Sequence, residues 1–94
     1  MDIADIIWLP SIVDKLAWKH HVSPEEVTEV LCAHPLYRKV QKGHVPGEDL
    51  YAALGQTDAG RYLIIFFIYK PTREALILSA RDMDTKERRQ YARR

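Results

Sequence analysis

With 94 residues, 47% of them hydrophobic and 29% charged, the chain has the size and composition of one small globular domain rather than a disordered or repetitive protein. Its longest apolar run, Tyr62–Tyr69, is too short to cross a bilayer, and no charged-then-apolar segment opens the chain, so a cytosolic protein is expected. The net charge of +1 divides unevenly, with five Lys/Arg against nine Asp/Glu in residues 1–60 and nine against four in residues 61–94, which points to an anionic or acidic partner for the C-terminal part.

Asp5–Leu9 (DIIWL) is a short apolar run stopped by Pro10 and reads as a strand. Ser11 then stands where a helix cap would, and Ile12, Val13, Leu16 and Ala17 recur at helical spacing. Ser23-Pro24-Glu25-Glu26 is the clearest helix start: Ser23 as N-cap, Pro24 in the first turn and Glu26 closing a capping box. Val27, Val30 and Leu31 form the buried stripe of that helix, so two short helices make an N-terminal hairpin around Lys19–Val22. Cys32, the one cysteine, falls among apolar helical positions; it excludes an internal disulfide and reads as a buried thiol.

After Pro35, Leu36–Val40 reads as an edge strand and Gln41–Glu48 as a loop. Three strands follow, Asp49–Thr57, Arg61–Lys70 and Ala75–Arg81. The first two are joined by Asp58-Ala59-Gly60, with Gly60 at the left-handed position of a three-residue hairpin loop. Tyr62–Tyr69 is apolar on both faces and belongs in the middle of the sheet. Strict alternation along the last strand would put Ala75, Ile77, Ser79 and Arg81 on one face and Leu76, Leu78 and Ala80 on the other. Asp84–Glu87 is a second capping box and opens a basic C-terminal helix. The expected fold is α+β: a small antiparallel sheet of four to five strands, an N-terminal helical hairpin and a C-terminal helix, in one domain over residues 1–94.

No two histidines among His20, His21, His34 and His44 stand four apart on a helix and no cysteine pair exists, so no metal site is expected. No glycine-rich phosphate loop joins a strand to a helix, and no glycine elbow surrounds Ser79. An arginine at a strand end, as Arg81 is, serves either as a fork for a carboxylate or phosphate or as a sheet-closing partner of Glu48, Asp82 or Asp84. Tyr37, Tyr51, Tyr69 and Tyr91 either stack on bases or line the core rim. Metal-free RNA cleavage needs a base, an acid and a cation beside one phosphate. His44 and Glu48 are candidate proton handlers, Arg81 and Arg61 candidate stabilisers, and Arg88, Arg89 and Lys42 candidate RNA-binding cations.

Three segments resemble one family in the right order. Lys19–Leu31 (KHHVSPEEVTEVL) resembles the KHGVSxEEAxxVF segment of BrnT-type toxins, His44–Phe67 their H…GEERxxALGxTxxGRxLxVVY segment, and Ile77–Tyr91 their IISARxAxxxERRxY ending. The resemblance implies a RelE-like fold and an RNA-cleaving toxin that stops protein synthesis without a cofactor. It further implies an antitoxin of the BrnA type with a ribbon-helix-helix end, a heterotetramer with it, and operator DNA bound only through that partner. Glu48, Arg61, Ser79, Arg81, Glu87 and Arg88 map onto family positions, and His44 more loosely. Leu50 and Gln56 stand where the family often has arginine, Leu76 where it has a basic or polar residue, and His21 where it has glycine. Lost cations mean lost phosphate contacts, so the alternatives are a catalytically degenerate interaction protein working through its partner, or a plain RNA-binding domain.

Overall fold

The computed structural model describes residues 1–94. Five strands, β1 (Asp5–Ile7), β2 (Leu36–Gln41), β3 (Leu50–Gln56), β4 (Tyr62–Tyr69) and β5 (Glu74–Asp82), form one sheet in the order β1-β5-β4-β3-β2. β4 is central, as its two apolar faces require, and β2 lies at an edge. Four strands pair antiparallel, but β1 lies parallel to β5, with Asp5 opposite Glu74, so the sheet is mixed rather than wholly antiparallel. The pairing follows from where the N-terminal segment is tied: Ala4 N donates to Arg73 O at 2.8 Å and Tyr69 Oη to Asp2 O at 2.5 Å.

Three helices, α1 (Pro10–Lys15), α2 (Pro24–Cys32) and α3 (Thr85–Ala92), cover the sheet. α1 starts one residue before the expected cap: Leu9 is its N-cap, without a side-chain bond, and Pro10 fills the first turn, so Ser11 does not cap. The helix then widens into a π turn, Leu16–His20, closed by His21 in the left-handed region (φ 54°). Ser23 and Glu26 form the full reciprocal box that opens α2, and Asp84 and Glu87 the one that opens α3. Gly60 turns the β3–β4 hairpin at φ 91°. No helix is long and apolar enough to cross a membrane.

The two faces of the sheet are covered unequally. α1, the π turn and α2 pack Leu16, Val22, Val27, Val30 and Leu31 on Ala53, Leu63, Ile65, Phe67, Ala75, Ile77 and Ala80. Cys32, the last residue of α2, is exposed rather than buried, because it falls outside the Val27–Leu31 stripe. On the other face α3 alone packs, with Met83 and Tyr91 on Ala52, Leu54 and Ile64. Eight residues of helix do not span that face, so Leu50, Phe66, Ile68 and Leu76 remain half-exposed and Leu78 exposed.

Simple alternation fails in β5. Phe67 pairs with Ile77 but Phe66 with Ser79, so Leu78 is an extra residue in a β-bulge. Ala80, not Ser79, therefore follows Ala75 and Ile77 into the larger core, while Ser79 and Arg81 turn to the α3 face opposite Phe66 and Ile64.

Candidate functional site

The bulge delivers Arg81 to the border between α3 and the open part of the sheet. Its guanidinium grips Glu87 in bidentate fashion, Nη1 to Oε1 at 2.8 Å and Nη2 to Oε2 at 2.9 Å, and lies 5.6 Å from the Phe66 ring centroid. The partner is thus none of the three acids considered from sequence; Asp82 contributes only its carbonyl, at 3.2 Å. Glu87 Oε1 also accepts from the Asp84 amide at 2.9 Å, closing the α3 cap. The Arg81 hydrogen bond foremost, then the Asp84 amide, hold the Glu87 carboxyl below its usual range against the cost of burial. Glu87 correspondingly raises Arg81.

One turn on, Gln90 Oε1 accepts from Arg38 Nη1 at 2.7 Å, linking α3 to β2. Arg38, Lys86, Arg89, Gln90 and Arg93 line a groove of about 390 Å³ with no apolar side chain. On the opposite side of α3, Arg88 sits 4.1 Å above the Tyr62 ring and Arg94 3.8 Å above Tyr91. α3 is therefore cationic along both flanks while its buried side is held by Tyr91.

The residues read from sequence as catalytic do not come together. Arg61 lies at the start of β4, with every donor of its guanidinium region engaged: Nε and Nη2 on Asp82 at 2.8 and 3.3 Å, Nη2 also on His20 O at 2.8 Å, and Nη1 on His21 O at 2.6 Å and on Glu26. It caps the end of the π turn and ties it to the end of β5. His44 and Glu48 lie at the other end of the sheet, where Glu48 pairs with Lys70 at 3.6 Å. Arg81 is opposite Ile64, six residues along β4 from Lys70, which separates the two ends by about 20 Å. The Lys42–Glu48 loop is tied down by Asp49, which accepts from Gly43 N at 2.8 Å and pairs with Lys39 at 2.8 Å, and Lys42, Glu48, Leu50, Ile68 and Leu78 border one shallow hollow there. His44 is exposed and bonds to nothing in the chain. The open sheet face thus has Arg81 and Glu87 at one end and Lys42, His44 and Glu48 at the other.

Sequence reading missed Arg38 and the second role of Glu87. Glu87 announced itself as the closing residue of a capping box and as a family position; its grip on Arg81 depends on the bulge. No three His, Cys, Asp or Glu side chains gather into a group able to hold a metal ion.

Residues 13–87 match the family model described as ribonuclease toxin, BrnT, of type II toxin-antitoxin system. No curated protein matches the chain.

Proposed function

Because the chain belongs to the BrnT family, the ribonuclease toxins of type II toxin–antitoxin systems, we propose that it is a metal-independent endoribonuclease that cuts RNA lying over the open sheet face beside α3, and so stops translation in the cytoplasm. Family membership implies an antitoxin partner. A BrnA-like antitoxin, a heterotetramer with it and operator binding through it belong to the same reading.

The observation that carries the reading is the Arg81–Glu87 pair at the border of an uncovered sheet face, flanked by Arg38, Lys86, Arg89 and Arg93. A guanidinium fork matches a phosphate bidentately, as it does the carboxylate it now holds. When a phosphate takes over Arg81, Glu87 loses its main acid-strengthening contact, its pKa rises, and it becomes a better base. In the reaction proposed, Glu87 takes the proton of the 2′-hydroxyl and that oxygen attacks the adjacent phosphorus. Arg81 steadies the developing charge, and the 5′-oxygen leaves as it takes a proton from solvent water, giving a 2′,3′-cyclic phosphate and a 5′-hydroxyl while Glu87 later returns its proton to solvent. Lys42, His44 and Glu48 meet the strand several phosphates away, at the far end of the face. Arg88 and Arg89 hold it along α3, and Arg61 keeps the scaffold rather than the substrate.

End-labelled RNA incubated in EDTA with the parent chain and with Arg81→Ala tests this. Discrete fragments ending in a cyclic phosphate, lost in the variant, are expected. Intact RNA from well-folded parent protein, with and without ribosomes, overturns it.

A second reading is favoured by one observation: Leu50, Ile68, Leu76 and Leu78 make the open face apolar between its two charged ends. That surface suits a protein partner, and a non-catalytic toxin-like protein acting through its antitoxin would use it. Growth arrest on expression without the antitoxin would count against this.

A further inference from the structure

The flank of α3 that faces the β3–β4 hairpin is a second surface, joined to the first at Arg89, which lines both. A cleft of about 530 Å³ opens there, and Gln56, Tyr62, Arg88, Tyr91 and Arg94 line it. Two guanidinium–aromatic stacks form its walls, Arg88 over Tyr62 at 4.1 Å and Arg94 over Tyr91 at 3.8 Å. The two rings meet edge to face, with centroids 6.0 Å apart and planes at 78°, which fixes the stacks relative to each other. Tyr62 stands opposite Gln56 in the β3–β4 ladder, so the sheet sets the floor of the cleft. Gln56 Nε2 donates to Gly60 O at 3.3 Å, and its amide oxygen has no partner in the chain.

These features go beyond a generic basic surface. A guanidinium held over one ring offers its other face to a second planar group. Single-stranded RNA is held by such stacking on aromatic rings and guanidinium planes, with polar groups meeting the base edges. The volume admits one base with its ribose. The cations beside it meet the phosphate, and the Gln56 oxygen is free to accept from a base N–H.

From this geometry we infer that the cleft between α3 and the β3–β4 hairpin is a nucleobase-binding subsite, in which one base of single-stranded RNA stacks on Arg88 above Tyr62. The subsite lies across α3 from Arg81 and takes a nucleotide flanking the one cut. It rests on the reading of the chain as an RNA-acting toxin.

The probe is a 2′-O-methyl oligoadenylate trimer, which lacks the hydroxyl nucleophile, beside an abasic trimer of the same charge, each titrated into the full chain. The parent should bind the oligoadenylate about tenfold more tightly than the abasic trimer. Arg88→Lys keeps the charge but removes the plane; it should lose most of that difference with an unchanged salt slope. Arg88 is exposed, so the variant should fold, and circular dichroism verifies it. Equal affinity for the two trimers, no binding of either, or an Arg88→Lys variant that keeps the base preference would overturn the subsite. RNA cleavage by the parent, assayed in parallel, separates the two failures. Cleavage without base preference sinks the subsite alone, and base preference without cleavage sinks the nuclease reading while upholding the subsite.

Discussion

Glu87 holds Arg81 by both carboxylate oxygens, at 2.8 and 2.9 Å, and with one of the same oxygens caps the amide of Asp84. One side chain thereby fixes the start of α3, its attachment to β5 and the position of the guanidinium that faces the open sheet. Stability and the proposed chemistry meet in this carboxylate, and a substitution there should move both.

Glu87→Gln separates the two. Glutamine still serves a capping box, so α3 should keep its start. The charge pair is lost, and stability should fall by about 1 kcal/mol, measured by urea unfolding, since the pair is only partly buried. RNA cleavage should fall by about a hundredfold or more with the base gone. Cleavage at the parent rate would remove Glu87 from the reaction.

Acid should unfold the protein through identifiable carboxylates. Glu87, chiefly through its bond from Arg81, and Asp82, chiefly through its bond from Arg61, both have lowered pKa values in the fold. The native state then holds fewer protons than the unfolded chain as pH falls. Their stabilisation is complete above the ordinary carboxylate range, about pH 4, and disappears as pH drops through the lowered values. Urea midpoints should be flat from neutral pH to about pH 5 and fall below that; Glu87→Gln with Asp82→Asn should flatten the fall.

Arg61→Ala should cost about 2–3 kcal/mol, because it strips partners from Asp82 and Glu26 and leaves the carbonyls of His20 and His21 without their donor. The loss should show as a lower urea midpoint. Cleavage per folded molecule should change little, in contrast to Arg81→Ala.

Gly55 is set by packing rather than by a turn. A Cβ there would lie 2.9 Å from Val30 Cγ1 and 3.3 Å from Pro35 Cβ. Gly55→Ala should destabilise by about 1–3 kcal/mol. Combining it with Val30→Ala should cost less than the two single changes together, the coupling expected of two groups competing for one space.

RNA binding should depend steeply on salt. Each neutralising change among Arg38, Lys86, Arg89 and Arg93 should lower the slope of log affinity against log salt by about 0.7, the value per phosphate for a single strand. An unchanged slope would detach that cation from the strand.

Much of this fold is written locally. Ser23 with Glu26, Asp84 with Glu87, and Gly60 are short-range signals, and each sets the element it announces. The all-round apolar Tyr62–Tyr69 likewise takes the centre of the sheet. What could not be read depends on contacts far apart in sequence. The parallel docking of Asp5–Ile7 on β5 is settled by bonds reaching Tyr69 and Arg73. The scaffold role of Arg61 rests on partners as distant as His20 and His21. The exposure of Cys32 reflects its place outside the Val27–Leu31 stripe of α2. The candidate site shares this division: Arg81 was legible as a guanidinium in need of an anion, but which face it served was not.

That face is decided by a single residue. Because Leu78 occupies no rung of the β4–β5 ladder, β5 runs in one phase before it and the opposite phase after it. The strand behaves like a reading frame with a one-unit slip. Removing Leu78 would leave an unbroken strand with Ser79 and Arg81 still on the α3 face and Ala80 still under α2, whereas drawing Leu78 into the ladder would send Arg81 toward the apolar layer under α2 and Ala80 out beneath α3. The slip therefore tolerates the loss of its own residue, whereas an added residue that took a rung of the ladder would exchange a charged residue for a small apolar one in both layers together. Relatives one residue shorter at this point should therefore lack the bulge and still carry their arginine on the α3 face.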